Sequence, residues 1–167
     1  DEYECSACPA GTVAPTGNEP SCVACGAGKY QDAEQQTECK PCDPGHYCEA
    51  GSAAQIKCDA GYFQDEPGKS ACNQCRVGFG CSAGSSEEEE CSSGSISNQD
   101  RSACDLCPQG KYQDRPGQTR CVDCPRGHYC VIGSSHPTNC SVATEAPDEG
   151  MGMCTRCNAD TYQDEEG

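Results

Sequence analysis

Twenty cysteines in 167 residues recur at fixed intervals, and those intervals constrain the fold more than any other feature. From Cys5 to Cys157, consecutive cysteines are separated by runs of 2, 13, 5 or 9 residues, with a single run of 12 before Cys104. A fixed period signals one small structural unit repeated, not one large core. The cysteine content exceeds the roughly 8–10% that marks a disulfide scaffold. Core-forming side chains are scarce: one leucine (Leu106), three isoleucines, two phenylalanines and no tryptophan. Burying so few apolar groups cannot offset roughly 1–2 kcal/mol of backbone entropy per ordered residue. Covalent staples must act instead, each contributing about 3 kcal/mol for a loop of about 15 residues.

The expected fold is therefore small and disulfide-rich: an elongated tandem array of short irregular β-hairpin modules with little helix. Units that touch only their neighbours build a quasi-one-dimensional rod. Its radius of gyration is expected to be about twice the ~15 Å of a compact globule of this length. The spacing divides the chain into the end of a preceding module (1–7), a short module (8–24), two long modules (25–57 and 58–90), a short one (91–106), a long one (107–139), a short one (140–156) and the truncated start of another (157–167). A segment of a longer extracellular protein is expected.

The 13-residue runs carry related residues: Gly28-Lys29-Tyr30-Gln31-Asp32, Gly61-Tyr62-Phe63-Gln64-Asp65, Gly110-Lys111-Tyr112-Gln113-Asp114 and Thr161-Tyr162-Gln163-Asp164. Asp65-Glu66-Pro67-Gly68 and Asp114-Arg115-Pro116-Gly117 follow as turn tetrapeptides, with Asp favoured at the start and Gly at the end. The recurring aromatic is expected to stack on the neighbouring disulfide as a small local core.

Spacing leaves two pairings open. In the simpler one, every run of 13 or 12 residues has its own bridge: Cys8–Cys22, Cys25–Cys39, Cys58–Cys72, Cys91–Cys104, Cys107–Cys121 and Cys140–Cys154. The five-residue runs then close locally as Cys42–Cys48, Cys75–Cys81 and Cys124–Cys130, and Cys5 and Cys157 pair outside the segment. The crossed scheme joins Cys42 to Cys58 and Cys48 to Cys72, and likewise along the chain. It makes identical loops behave differently and ranks second.

Disulfides persist in oxidising compartments, so an extracellular or cell-surface location is expected. The net charge of −16 argues against nucleic acid and anionic membrane as partners. No run is long and apolar enough for membrane insertion within this segment.

Chemistry is sparsely signalled. Cys5-x2-Cys8-x13-Cys22-x2-Cys25 has zinc-ribbon spacing. The same spacing overlaps itself at Cys22, Cys25, Cys39 and Cys42, and Cys48, Cys58, Cys81, Cys91, Cys130 and Cys140 would be stranded, so disulfides are preferred. The Cys-x-x-Cys pairs lack the strand–helix setting of a redox dithiol. His46 and His128 share a Gly-His-Tyr-Cys site that holds Phe79 in the middle long module, and His136 sits in a Ser-His-Pro loop. No catalytic residue, cofactor or metal site is expected, and no enzyme. Glu87–Glu90 read as a solvated loop tip. The opening Asp1-Glu2-Tyr3-Glu4-Cys5 is similar to the start of calcium-binding EGF modules, without their downstream ligands. Asn139-Cys140-Ser141 is a formal acceptor for N-linked glycan.

The pattern Cys-Pro-x-Gly-x-Tyr-Gln-Asp-x-x-Gly-x-x-x-Cys-x-x-Cys, from Cys107 to Cys124, resembles the ephrin-receptor-like cysteine-rich repeat. That repeat is related in style to tumour-necrosis-factor-receptor and EGF-like modules. Pro125 to Cys130 resembles the Pro-x-Gly-x-Tyr-Cys element of long arrays in protist and algal surface proteins, mastigoneme-type proteins among them. Thr12-Val13-Ala14, Ser95-Ile96-Ser97 and Arg76-Val77-Gly78-Phe79 depart from the pattern. Such modules serve in receptors, adhesion proteins, surface coats and flagellar hairs, so the resemblance points to a module type and not to one role. Low surface apolarity, regular units and no evident site favour an extracellular structural spacer or building block of a larger surface or filament protein, such as a flagellar-hair fibre, with other extracellular proteins or copies of itself as partners. The alternative is a ligand-binding or adhesion ectodomain, with Val131-Ile132 and Met151-Gly152-Met153 as contact candidates.

Overall fold

The computed structural model describes residues 7–14 and 21–157. The acidic opening at residues 1–5, including Cys5, and the Thr161–Asp164 motif lie outside the described residues.

Within them the chain folds as a tandem array of antiparallel β-hairpins, with no helix. The strands are two or three residues long and pair strictly with their sequence neighbour. β1 (Thr12–Val13) pairs with β2 (Val23–Ala24), β3 (Lys29–Tyr30) with β4 (Lys40–Pro41), and β5 (His46–Tyr47) with β6 (Ile56–Lys57). β7 (Tyr62–Phe63) pairs with β8 (Asn73–Gln74), β9 (Phe79–Gly80) with β10 (Glu89–Glu90), and β11 (Ser95–Ser97) with β12 (Cys104–Leu106). β13 (Lys111–Tyr112) pairs with β14 (Val122–Asp123), β15 (His128–Tyr129) with β16 (Thr138–Asn139), and β17 (Thr144–Glu145) with β18 (Thr155–Arg156). An isolated two-stranded ribbon is marginal in water, so each hairpin needs external bracing.

The array forms two compact units, Asp1–Cys75 with Cys81–Glu88, and Arg76–Gly80 with Glu89–Gly167. Each unit is braced in the same way. A cysteine opens every hairpin, a turn residue follows three positions later, and in every hairpin but the first, where Ala14 is half-buried, one buried residue follows three positions after that. In the first unit these triplets are Cys25, Gly28, Gln31, then Cys42, Gly45, Cys48, then Cys58, Gly61, Gln64. In the second they include Cys91, Gly94, Ser97, then Cys107, Gly110, Gln113, then Cys124, Gly127, Cys130. Opening cysteines recur every 16 or 17 residues, as from Cys25 to Cys42 to Cys58, so a stretch such as 25–57 contains two hairpins in one frame.

Backbone bonds tie each hairpin to those after it. The Gly11 amide donates to the Gln31 carbonyl at 2.7 Å, Gly28 to Cys48 at 2.8 Å, and Gly45 to Gln64 at 2.7 Å. Return bonds run from Gly51 to the Cys25 carbonyl at 2.7 Å and from Gly68 to Cys42 at 2.8 Å. In the second unit the same pair of links joins Gly94 to Gln113 at 2.7 Å and Gly133 to Cys107 at 2.8 Å. Parallel bridges between Tyr30 and Ser52, Phe63 and Ser85, and Tyr112 and Ser134 add to them.

Glycine is required where these links converge. Gly28 has φ +85°, and a Cβ there would overlap the carbonyl oxygen of Gly68, two hairpins along. No side-chain rotation relieves a backbone collision. Non-glycine residues hold a positive φ at Gln35 (59°), Arg101 (63°) and Ala143 (63°).

The turns after the Gln-Asp motif fall one residue later than their composition suggests. The bend is at Pro67-Gly68 and Pro116-Gly117, with φ +73° and +69° at the glycines. Proline thus takes the second turn position and glycine the third, the arrangement that suits a type II turn. Glu66 and Lys69 then flank the first of these turns and form an ion pair at 2.5 Å.

Candidate functional surface

Sulfur fills the interior. Cys25, Cys42, Cys48, Cys58, Cys75, Cys81, Cys91, Cys107, Cys124, Cys130 and Cys140 are all at most 1% exposed. The bridges are Cys8–Cys22, Cys25–Cys39, Cys42–Cys48, Cys58–Cys72, Cys75–Cys81, Cys91–Cys104, Cys107–Cys121, Cys124–Cys130 and Cys140–Cys154. Their Cα–Cα separations, 5.4 Å for Cys8–Cys22 up to 6.4 Å for Cys75–Cys81, lie in the usual range. In the three bridges that close a five-residue run, both partners are buried. In the other six, the second cysteine is half-buried, or exposed in the case of Cys22. Among the described residues, Cys157 has no disulfide partner.

The third residue of the triplet is the centre of each hairpin, and the cysteine pattern does not reveal it. Gln31, Gln64 and Gln113 are 2%, 3% and 5% exposed. Each closes its own loop from within. The Gln113 Nε2 donates to the Arg120 carbonyl at 2.7 Å, and its Oε1 accepts from the Arg115 amide at 3.0 Å. Gln64 repeats this with Ala71 at 2.8 Å and Glu66 at 3.1 Å, and Gln31 with Glu38 at 2.7 Å and Ala33 at 3.1 Å. Cys48, Cys81 and Cys130 occupy the same place in the hairpins with five-residue runs. The carbonyls of Gln31 and Cys48 both receive a turn-glycine amide from the preceding hairpin. One position therefore accepts two chemistries, an amide that braces a long loop or a sulfur that closes a short one. Counting from the turn glycine rather than from cysteine to cysteine would have exposed this equivalence.

Smaller residues take the position elsewhere. Ser97 is 7% exposed, and its Oγ accepts from the Gly78 amide at 3.0 Å. Ala146 is 3% exposed. Around Ser97 the surface opens into a cleft lined by Val77, Ile96, Asn98, Asp105 and Thr119.

The aromatic residues are less deeply buried than these positions. Tyr30, Phe63 and Tyr112 are half-buried, and Tyr62 is 40% exposed. The Lys40 ammonium stands 5.8 Å from the Tyr30 ring centroid, and the Arg76 guanidinium 4.2 Å from that of Phe79.

The remaining sequence candidates stay apart from one another. His46 and His128 direct Nδ1 at the carbonyls of Pro44 and Arg126, within their own turns. His136 is exposed and meets the Ser135 hydroxyl at 3.1 Å. Glu89 and Glu90 form β10, so half of the acidic run is strand. Asn139 is exposed on β16, between Thr138 and the buried Cys140. Val131, Ile132 and Met153 are 55%, 65% and 63% exposed. Leu106, the sole leucine, is 63% exposed and lies over Gly133, beside Ile132 in sequence.

Charge pairs decorate the hairpins. Lys40 and Asp32 meet at 2.6 Å, and Lys111 reaches Asp123 at 2.5 Å across β13 and β14. The Lys40 hydrogen bond holds the Asp32 carboxyl below the usual carboxylate range, and the same bond raises Lys40. Lys69 likewise lowers Glu66, and the Ser102 hydroxyl and amide lower Asp100. These groups are solvated, so their energies are small.

Comparison with known families finds one match, at residues 94–140, to the family described as tyrosine-protein kinase ephrin type A/B receptor-like. The matched stretch contains three complete hairpins, β11–β12, β13–β14 and β15–β16. No curated protein sequence matches the chain. The match and the nine bridges together make this a cysteine-rich repeat of the kind found in extracellular modules, in keeping with an oxidising compartment. Among the described residues, no helix is long and apolar enough to cross a membrane.

Proposed function

We propose that the chain is a structural building block of a larger extracellular cysteine-rich protein, a filament or surface coat, in which the hairpin array transmits mechanical load and contacts other copies or neighbouring extracellular proteins. The role is structural, with no catalysis. One observation carries the reading. The buried glutamines close their own loops, buried Ser97 braces the neighbouring hairpin through the Gly78 amide, and the buried half-cystines are sealed in bridges, so interior chemistry is devoted to bracing. Gln31, Gln64 and Gln113 each use both ends of the amide this way. A flagellar-hair fibre is one assembly in which such a block would serve.

Force measurement tests the proposal. Held by its ends in an optical trap, the oxidised chain should resist extension until well above the force at which the chain in reductant has unravelled. Equal unravelling forces with and without reductant would overturn the mechanical role.

A second reading, a ligand-binding or adhesion ectodomain, draws on the exposed apolar side chains Leu106, Val131 and Ile132, of which all three lie inside the family match. Saturable binding of a soluble protein, abolished by Ile132→Asp with all bridges intact, would favour it.

A further inference from the structure

We infer that Asn139 carries an N-linked glycan, attached while its own hairpin is still open. The inference rests on the secretory setting of the proposed function but not on a mechanical role.

The acceptor sequence is Asn139-Cys140-Ser141, and its central residue decides the timing. In the folded chain Cys140 is 0% exposed, is bridged to Cys154, and donates its amide to the Gly127 carbonyl at 2.9 Å. Asn139 is paired to His128 across the hairpin. A transferase must grip the three-residue acceptor away from other structure, so the closed hairpin denies it the backbone. The unfolded chain does not. Cys154 leaves the ribosome 15 residues after Asn139, which is about one to three seconds at roughly 5–20 residues per second. Disulfide formation takes seconds to hours. Transfer therefore precedes closure in part of the molecules.

The folded structure accommodates the product. Asn139 is the last residue of its second strand, immediately before a buried cysteine. The residues at that place in other hairpins, Ala24, Lys57, Glu90, Leu106 and Asp123, are all exposed. Even Leu106, lying over Gly133, keeps 63% of its surface open. Cys140 is buried, while Asn139 before it and Ser141 after it are both exposed. A glycan on Asn139 then projects into solvent without displacing a sulfur.

The donor is an oligosaccharide on a lipid pyrophosphate. The bond between its anomeric carbon and the phosphate oxygen breaks, a bond from that carbon to Asn139 Nδ2 forms, one Nδ2 proton is lost, and the lipid pyrophosphate departs. No electrons are exchanged.

The test expresses the full chain in a eukaryotic secretory host and measures the Asn139 peptide by mass spectrometry with and without glycosidase, in total rather than only secreted chain. Partial occupancy is expected in the unmodified chain. Cys154→Ser, which leaves Cys140 unbridged, should raise it, and Ser141→Ala should remove the glycan mass. Brief addition of mild reductant during synthesis should raise occupancy without any substitution, so the expectation survives a variant that fails to fold. An unglycosylated Asn139 under all of these conditions overturns the site. Occupancy unmoved by both Cys154→Ser and reductant overturns the timing.

Discussion

Gln113 shows how a hairpin with almost no apolar filling holds its shape. Its amide satisfies one donor and one acceptor of the loop it sits in, and its carbonyl receives the amide of Gly94. Gln113→Ala leaves the Arg115 amide and the Arg120 carbonyl without their buried partner. The expected cost is about 1–3 kcal/mol, seen as faster amide exchange across residues 113–121. Turn positions predict in both directions. Gly28→Ala forces Cβ into the Gly68 carbonyl at a left-handed φ, so hairpins 25–41 and 58–74 should both lose protection. Ala143→Gly relieves a positive φ of 63° and should stabilise its hairpin by about 1 kcal/mol in urea titration. Charge adds a pH signature. Asp32 is lowered by Lys40, so its contribution is present above the ordinary aspartate range and fades as pH falls through the lowered folded value. Lys40 is raised, so its contribution is present below the ordinary lysine range and fades as pH rises through the folded value. At low salt, Asp32→Asn should flatten the acid limb of a melting-temperature profile. The change is small because both groups are exposed, and salt should screen it.

At the level of the hairpin, the six bridges over long runs differ from the three over short ones in access. Cys22 is exposed and Cys39, Cys72, Cys104, Cys121 and Cys154 are half-buried, whereas Cys42–Cys48, Cys75–Cys81 and Cys124–Cys130 are sealed at both ends. Thiol–disulfide exchange needs an approach to sulfur. Graded reductant followed by alkylation and peptide mapping should therefore open Cys8–Cys22 early and the three sealed bridges last. The reverse order would contradict the burial pattern. The hairpin class was legible in the sequence, because the cysteine ruler and the missing apolar residues left little else. The centre of the hairpin was not. Cysteine spacing separates Gln31 from Cys48 by function, while the backbone places both at the third position after a turn glycine. Tyr30 and Tyr112 attract notice as the large side chains, yet they are half-buried, and the most deeply buried positions hold sulfur and a planar amide. The turn frame at Pro67-Gly68 was missed by one residue because Asp65 looks like a turn opener, while proline's fixed φ assigns that place to Glu66.

Across the molecule, each compact unit has cooperativity without a central core. Within a unit a hairpin bonds to the next and touches the one after, as Gly28 does with Cys48 and Gly68. Stability is then a sum of local and neighbour terms. Full reduction should unfold both units, while a single lesion such as Gln64→Ala should weaken only the hairpins of its own unit within two places of it, read residue by residue by hydrogen exchange. Uniform loss of protection along a unit would indicate a single cooperative block instead.

The shared place of Gln31 and Cys48 carries an implication for how such a chain lengthens. Because amide-centred and sulfur-centred hairpins present the same backbone contacts to their neighbours, a duplicated gene segment of one 16- or 17-residue frame splices in without a misfit joint, whichever kind it encodes. Hairpins can therefore be added or dropped one at a time without breaking the backbone links between those that remain.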